Sequence, residues 1–317
     1  MSLLRILSAA AIAAFCTAPA LADSGPLAEA EWLSKNLENP KIRVFEVSVD
    51  PGIYERGHIP GAVNINWHTD LVDTVSRDIV SREKFEALLE SAGVTKDTTI
   101  VLYGDNNNWF AAWGAWVFNI YGFGDQVQLL DGGRKLWEKQ GLAVETKVPA
   151  YQKTDITLPE TRKELRARLT DVLDVVEKRK TAAILDIRGP DEFSGKLFAP
   201  EGSKETAVRA GHVPGAKNVP WSKAVDADTG KFKAKEEPKK IYAEAGIDGS
   251  QDVITYCRIG ERSSHSWYAL SRILGYKVRN YDGSWTEYGN SVGVPVVNLA
   301  GKCLDRQIAE PSPPSGS

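Results

Sequence analysis

Arg56-Gly57-His58-Ile59-Pro60-Gly61-Ala62 and Ala210-Gly211-His212-Val213-Pro214-Gly215-Ala216 are one turn written twice, with Gly57 and Gly211 lying 154 residues apart. Two further landmarks return in the same order. Thr99-Ile100-Val101-Leu102-Tyr103 corresponds to Asp252-Val253-Ile254-Thr255-Tyr256, and Leu129-Leu130-Asp131-Gly132-Gly133 to Arg279-Asn280-Tyr281-Asp282-Gly283. Their offsets are 153 and 151 residues. Three landmarks in register imply a duplicated domain, and the period is far too long for a solenoid. Within each copy, short apolar runs (43–49 and 99–103; 182–187 and 253–256) alternate with helical patterns at 82–91 and 258–274. Strands separated by helices predict an α/β fold, each copy a parallel sheet flanked by helices. In such sheets ligands gather beyond the carboxyl ends of the strands. The places to look for chemistry are therefore just after Tyr103 and just after Tyr256.

Outward from the repeats, residues 1–22 read as a signal peptide. Arg5 supplies the positive start, 6–15 the apolar stretch, and Ala20-Leu21-Ala22 the cleavage site, so cleavage is expected after Ala22. The expected location is periplasmic or secreted. Phe15 before Cys16 disfavours a lipidated cysteine, and no other run approaches the roughly 20 residues of a membrane span. The divisions are a first domain over 23–146, a linker over 147–161, a second domain over 162–300 and a tail over 301–317. With 317 residues, 42% hydrophobic, 26% charged and a net charge of −3, the chain is an ordinary globular one. No basic surplus points to nucleic acid. Three cysteines without a CxxC pair exclude a zinc ribbon, and no metal or cofactor is called for.

The segment after Tyr256 reads Cys257-Arg258-Ile259-Gly260-Glu261-Arg262-Ser263-Ser264. A cysteine at a strand end, followed by a glycine-bearing loop entering a helix, lies where backbone N–H groups converge on an anion. That field, with Arg258 and Arg262, is expected to favour the thiolate, which is the nucleophile. The arginine falls five places after the cysteine, giving C-x4-R where cysteine phosphatases carry C-x5-R. The shorter loop fits a sulfur carrying one more sulfur better than it fits phosphate. By alignment of the tyrosines the first copy has Gly104 opposite Cys257, or Asp105 with a one-residue gap. Neither is a nucleophile, so that copy is expected to be inactive and to wall the site.

Cys257–Ser264, both GH[IV]PGA turns, Leu130–Arg134 and Tyr281–Glu287 resemble the tandem-domain rhodaneses, the thiosulfate and 3-mercaptopyruvate sulfurtransferases, in the branch whose loop reads CRIGERSS. The likeness spans about 30 to 300. It implies that Cys257 takes the outer sulfur of a small anionic donor as a persulfide and passes it to a thiophilic acceptor, cyanide or a thiol. Family members with a cationic loop use thiosulfate, and Arg258 fits that pattern, whereas Ile259 stands in a usual lysine place. Glu261 opposes a dianion unless it pairs with Arg258 or Arg262. Alternatives are a 3-mercaptopyruvate sulfurtransferase and a persulfide carrier for a partner protein. The candidate site is thus Cys257 as nucleophile, with Arg258, Ile259, Gly260, Glu261, Arg262 and Arg188 around the substrate.

Several side chains admit two readings. Arg188 either meets the substrate or pairs with Asp186, and Arg209 either lines the approach or is a surface arginine. Trp285 either shields the persulfide or is core. His58 and His212 read as hydrogen-bonding parts of their turns, while His265 should lie two turns from the sulfur. Trp109, Trp113 and Trp116, spaced by four and three, read as a helix face in the core or between domains. Cys303 reads as a free or buried thiol.

Overall fold

The computed structural model describes residues 25–301. Residues 1–22, read above as a signal peptide, and Cys16 and Cys303 lie outside the described residues. The chain forms two five-stranded sheets in which every pairing is parallel. The first contains β1 (Leu27–Ala28), β2 (Ile42–Glu46), β3 (Val63–Asn64), β4 (Thr99–Tyr103) and β5 (Val127–Leu130), in the order β1-β5-β4-β2-β3. The second contains β6 (Arg166–Ala167), β7 (Ala183–Asp186), β8 (Lys217–Asn218), β9 (Val253–Tyr256) and β10 (Val278–Tyr281), in the order β6-β10-β9-β7-β8. The two orders agree position for position. β2, β4 and β9 are buried along nearly their whole length, as expected of strands covered on both faces.

The repeated turns tie each sheet together in the same manner. Tyr103, at the end of β4, accepts from Ile59 N and donates to Glu46 on β2; Tyr256 accepts from Val213 N and donates to Asp186 on β7 at 2.6 Å. His58 Nδ1 lies 2.9 Å from Tyr54 O, and His212 Nδ1 lies 2.7 Å from Phe193 O. Each histidine ring also stacks on that partner. Both histidines are therefore staples of their turns.

The helices that follow β4 and β9 join the two copies. Trp109–Ile120 is apolar on every face, and ten of its twelve residues are buried. Such a helix needs cover on all sides. Its partner is Glu261–Trp267, all seven residues of which are buried. One continuous core therefore runs from Phe45, Leu102 and Trp116 through Trp113 to Cys257, Ile259 and Leu270. The tryptophan face is an inter-domain contact, with Trp109 edge-on to Trp221. The helix expected over 258–274 begins only at Glu261, because Arg258 to Gly260 form the loop, and it passes into a π-helix over Tyr268–Ile273. Residues 147–161 strap the first domain: Tyr151 donates to Gly61 O, Thr154 to Val94 O, and Ile156 and Leu158 are buried. No helix among the described residues is long and apolar enough to cross a membrane.

Candidate active site around Cys257

Cys257 follows β9 directly and is fully buried. Its backbone is held by the Tyr281–Glu287 motif, through Trp285 and through Ser284, to which the sequence assigned no role. Ser284 Oγ accepts from Cys257 N at 3.1 Å and donates to Tyr281 O at 2.8 Å, while Cys257 O accepts from Trp285 N at 3.0 Å. Ser284 adopts φ 54°, a left-handed conformation that is costly for a residue with a Cβ, and the hydrogen bonds on both sides keep it there. Beneath the loop, Asn280 on β10 accepts from Ser263 Oγ at 2.7 Å and donates to Ser264 Oγ at 2.9 Å. These contacts satisfy polar groups that would otherwise be costly in a buried helix.

Two polar contacts on the sulfur are close. Gly260 N–H points at Sγ from 3.1 Å, and the thiol donates toward Glu261 Oε2 at 3.4 Å. Gly260 turns the chain at φ 105°, where a Cβ would stand 2.4 Å from Trp113 Cζ3 and 2.9 Å from Asp282 O. Only glycine fits between the two domains at that point.

The expected stabilisation of the thiolate is not found. Burial, followed by the charge of Glu261, pushes the Cys257 thiol up; Arg262 and the N–H groups of Ser263 and Gly260 work against that rise without overcoming it. Besides full burial, the arginines are partly neutralised, by the nearby Glu261 and by Glu192 from elsewhere in the chain. Arg262 is clamped by Glu192 through two hydrogen bonds, Nη1–Oε2 at 2.8 Å and Nη2–Oε1 at 3.0 Å. Arg258 donates to Glu205 O at 2.9 Å, and its Nη2 lies 3.8 Å from Glu261 Oε1. Two arginines are thus matched by two carboxylates, and the loop carries no local surplus of positive charge.

The other candidates separate clearly. Ile259 lines a cleft of about 310 Å³, together with Trp67, Ser76 and Trp113 from the first domain and Gly283 from the second. Arg188 is 1% exposed and engaged by Asp186, with Nη2–Oδ2 at 2.6 Å, and it also donates to Gly211 O at 2.7 Å. Of its two readings the ion pair is the one seen, and none of its hydrogen bonds reaches the loop. Arg209 clamps four carbonyls, those of Tyr288, Gly289, Ser291 and Val294. Trp285 is core, stacked on Tyr288 and donating to Arg209 O. His265 is buried against Phe232 and Trp221. Among the described residues no group of three or more His, Cys, Asp or Glu could hold a metal.

The first domain closes the cleft with its 72–79 hairpin. There Asp78 pairs with Arg166, which also grips Asp282 through 2.7 and 2.6 Å bonds, and Arg77 reaches Glu205 at 2.6 Å. The second domain returns the contact. Its 225–232 hairpin places Phe232 N on Asp131 Oδ1 at 2.8 Å, and Lys135 donates to Ala227 O at 2.6 Å. In the first copy itself, a Cβ on Gly104 would lie 2.2 Å from Val47 O, and Asp105 is turned away to accept from Val49 N and Asp50 N. No side chain can occupy the position of Cys257 there.

Comparison with known proteins agrees with this architecture. The rhodanese-like domain family matches residues 29–140 and 162–291. "Sulfur carrier protein TtuD" of Thermus thermophilus is 48% identical over 274 residues, covering 85% of this chain and 95% of that protein. A protein of Mycolicibacterium smegmatis named "Putative thiosulfate sulfurtransferase" is 48% identical over 278 residues, covering 87% and 99%. Among solved structures, the 3-mercaptopyruvate sulfotransferase SseA from Escherichia coli superposes with a TM-score of 0.70 at 26% identity, over 82% of this chain and 99% of that one.

Proposed function

The chain belongs to the rhodanese family, with two rhodanese-like domains in tandem, and from that premise we propose that it transfers sulfane sulfur from thiosulfate to cyanide or a thiol through a persulfide on Cys257. The observation that carries the reading is the placement of Sγ at the carboxyl end of β9, 3.1 Å from the Gly260 N–H, in the loop whose Ile259 lines the cleft between the domains. The sulfur of Cys257 attacks the outer sulfur of thiosulfate. The S–S bond of the donor breaks, and sulfite leaves with its electron pair. The acceptor then attacks the terminal sulfur, and the persulfide S–S bond breaks to return Cys257. Arg258 supports thiosulfate as the donor, since its charge is the one in the loop not clamped by a bidentate carboxylate. The leader at 1–22 supports action outside the cytoplasm, which N-terminal sequencing of the mature protein would check.

A second reading, a sulfur carrier that hands the persulfide to a protein, is favoured by the name of the Thermus relative. Intact mass after thiosulfate, with Cys257→Ala beside the wild type, tests the shared step. One added sulfur in the wild type alone is expected. Sulfur on the variant, or none on the wild type, overturns the persulfide. Turnover with cyanide on thiosulfate and on 3-mercaptopyruvate then separates enzyme from carrier and one donor from the other.

A further inference from the structure

Glu261 is a carboxylate where an anionic donor must arrive. It is 2% exposed, and its only contact to the reacting atom is Oε2 at 3.4 Å from Cys257 Sγ. The charged groups that face it are Arg258 at 3.8 Å and Arg262 at 3.7 Å from its own segment, with Glu192 behind Arg262. Both arginine distances exceed ordinary hydrogen-bond length. Glu261 is therefore buried with weakly engaged oxygens, one of which receives the thiol. The loop is electrically balanced while the cysteine is a thiol. When a dianion enters, the sulfur must ionise, and three new negative charges would then surround a buried carboxylate.

We propose that Glu261 is a second catalytic residue, the group that takes the proton of Cys257 as the donor is attacked and gives it back at the persulfide. The proposal rests on the sulfur-transfer reading above. In the first step the Sγ–H proton passes to Glu261 Oε2, and the thiolate forms a bond to the outer sulfur of thiosulfate. The sulfur–sulfur bond of the donor breaks, and sulfite departs with the electron pair. The proton returns from Glu261 to the terminal sulfur, leaving Cys257 as a neutral persulfide and Glu261 ionised. When cyanide takes the terminal sulfur, the same proton passes by way of Glu261 to Sγ, giving thiocyanate and the starting thiol. No oxidant or further reactant is needed. Burial and the Glu261 charge hold the resting thiol up, as such a resting state requires.

The test is Glu261→Gln, which keeps the shape and removes the charge. Two readouts should move in opposite directions. Alkylation of Cys257 by iodoacetamide should shift to lower pH, because the nearby negative charge is gone. Thiosulfate:cyanide turnover should fall about a hundredfold, the scale of a lost acid–base group, with partial recovery in Glu261→Asp. Turnover within threefold of wild type, or alkylation and turnover falling together as in a collapsed loop, would overturn the proposal. Intact mass keeps the two readings apart. A wild type that gains no sulfur sinks the persulfide itself, whereas a wild type that gains it beside an unimpaired Gln variant sinks only the role of Glu261.

Discussion

Glu192→Gln probes the ion pair that fixes the helix carrying Arg262. The two side chains are 5% and 7% exposed and share two hydrogen bonds of 2.8 and 3.0 Å. Burial works against the charge of Glu192, but the hydrogen bonds and charge of Arg262 outweigh it and hold the carboxyl below the ordinary range. Removing one partner of a buried pair costs about 3–5 kcal/mol. Glutamine still offers one acceptor oxygen, so about 2–4 kcal/mol is expected here, since a hydrogen bond to a charged group is worth roughly twice a neutral one. At roughly 2–4 °C per kcal/mol for 150–250 residues, the melting point should drop by about 4–16 °C at pH 7. The native pKa of Glu192 lies below its unfolded value, so this stability is present above the unfolded pKa and is lost as pH falls through the native one. Melting curves of the two proteins should draw together as pH falls below 4.5, the ordinary value for the group. Arg262, freed of its carboxylate, should also draw the Cys257 thiol down, moving iodoacetamide alkylation to lower pH. Equal melting points at pH 7 together with an unmoved alkylation profile would refute both arguments.

Two further substitutions test the loop and the inter-domain face. Gly260→Ala combines a positive φ of 105° with a Cβ 2.4 Å from Trp113; Gly275→Ala, at φ 79° with nothing within 4 Å, carries only the backbone cost of about 1–3 kcal/mol. Persulfide formation, read by intact mass, should drop at least tenfold in the first and persist in the second; equal behaviour would refute the steric argument. His265 is buried among aromatic rings, and burial lowers its pKa to about 3. Its neutral form contributes stability above pH 6.5 that is lost as pH falls toward 3, so the wild type should lose more melting temperature than His265→Phe as pH falls from 6.5 to 5, above the range where the paired carboxylates titrate. An equal decline of both proteins between pH 6.5 and 5 would place the acid sensitivity elsewhere.

What the sequence disclosed is what local pattern can carry. Thr99–Tyr103, Val253–Tyr256 and Arg82–Ser91 form as strands and helix over the residues read, because their apolar periodicity is local. The repeat foretold two matching sheets, and the wall role of the first copy followed from its missing nucleophile. The ionisation of Cys257 departs from the expectation mainly because the sulfur is fully buried, which no local stretch of sequence announces. Glu192 stands 70 positions from Arg262, and nothing local announces their pairing. Arg188 and Asp186 are two apart, yet only the burial of both decides between substrate contact and ion pair. The hold of Ser284 on Cys257 depends on a left-handed backbone that a serine does not advertise. Gly104 was read as a missing cysteine, whereas Val47 O shows that the backbone there has closed over the space.

The two hairpins, each seated on the mouth of the opposite domain, give the molecule the logic of an isologous dimer written on one chain. In a true dimer both mouths would have to change together. Fusion lifts that constraint, so one copy could lose its nucleophile and fill its cradle while its 72–79 hairpin went on closing the other. Half of the molecule thus serves as a covalently tethered subunit, always at hand to roof a reactive sulfur that its own domain leaves uncovered.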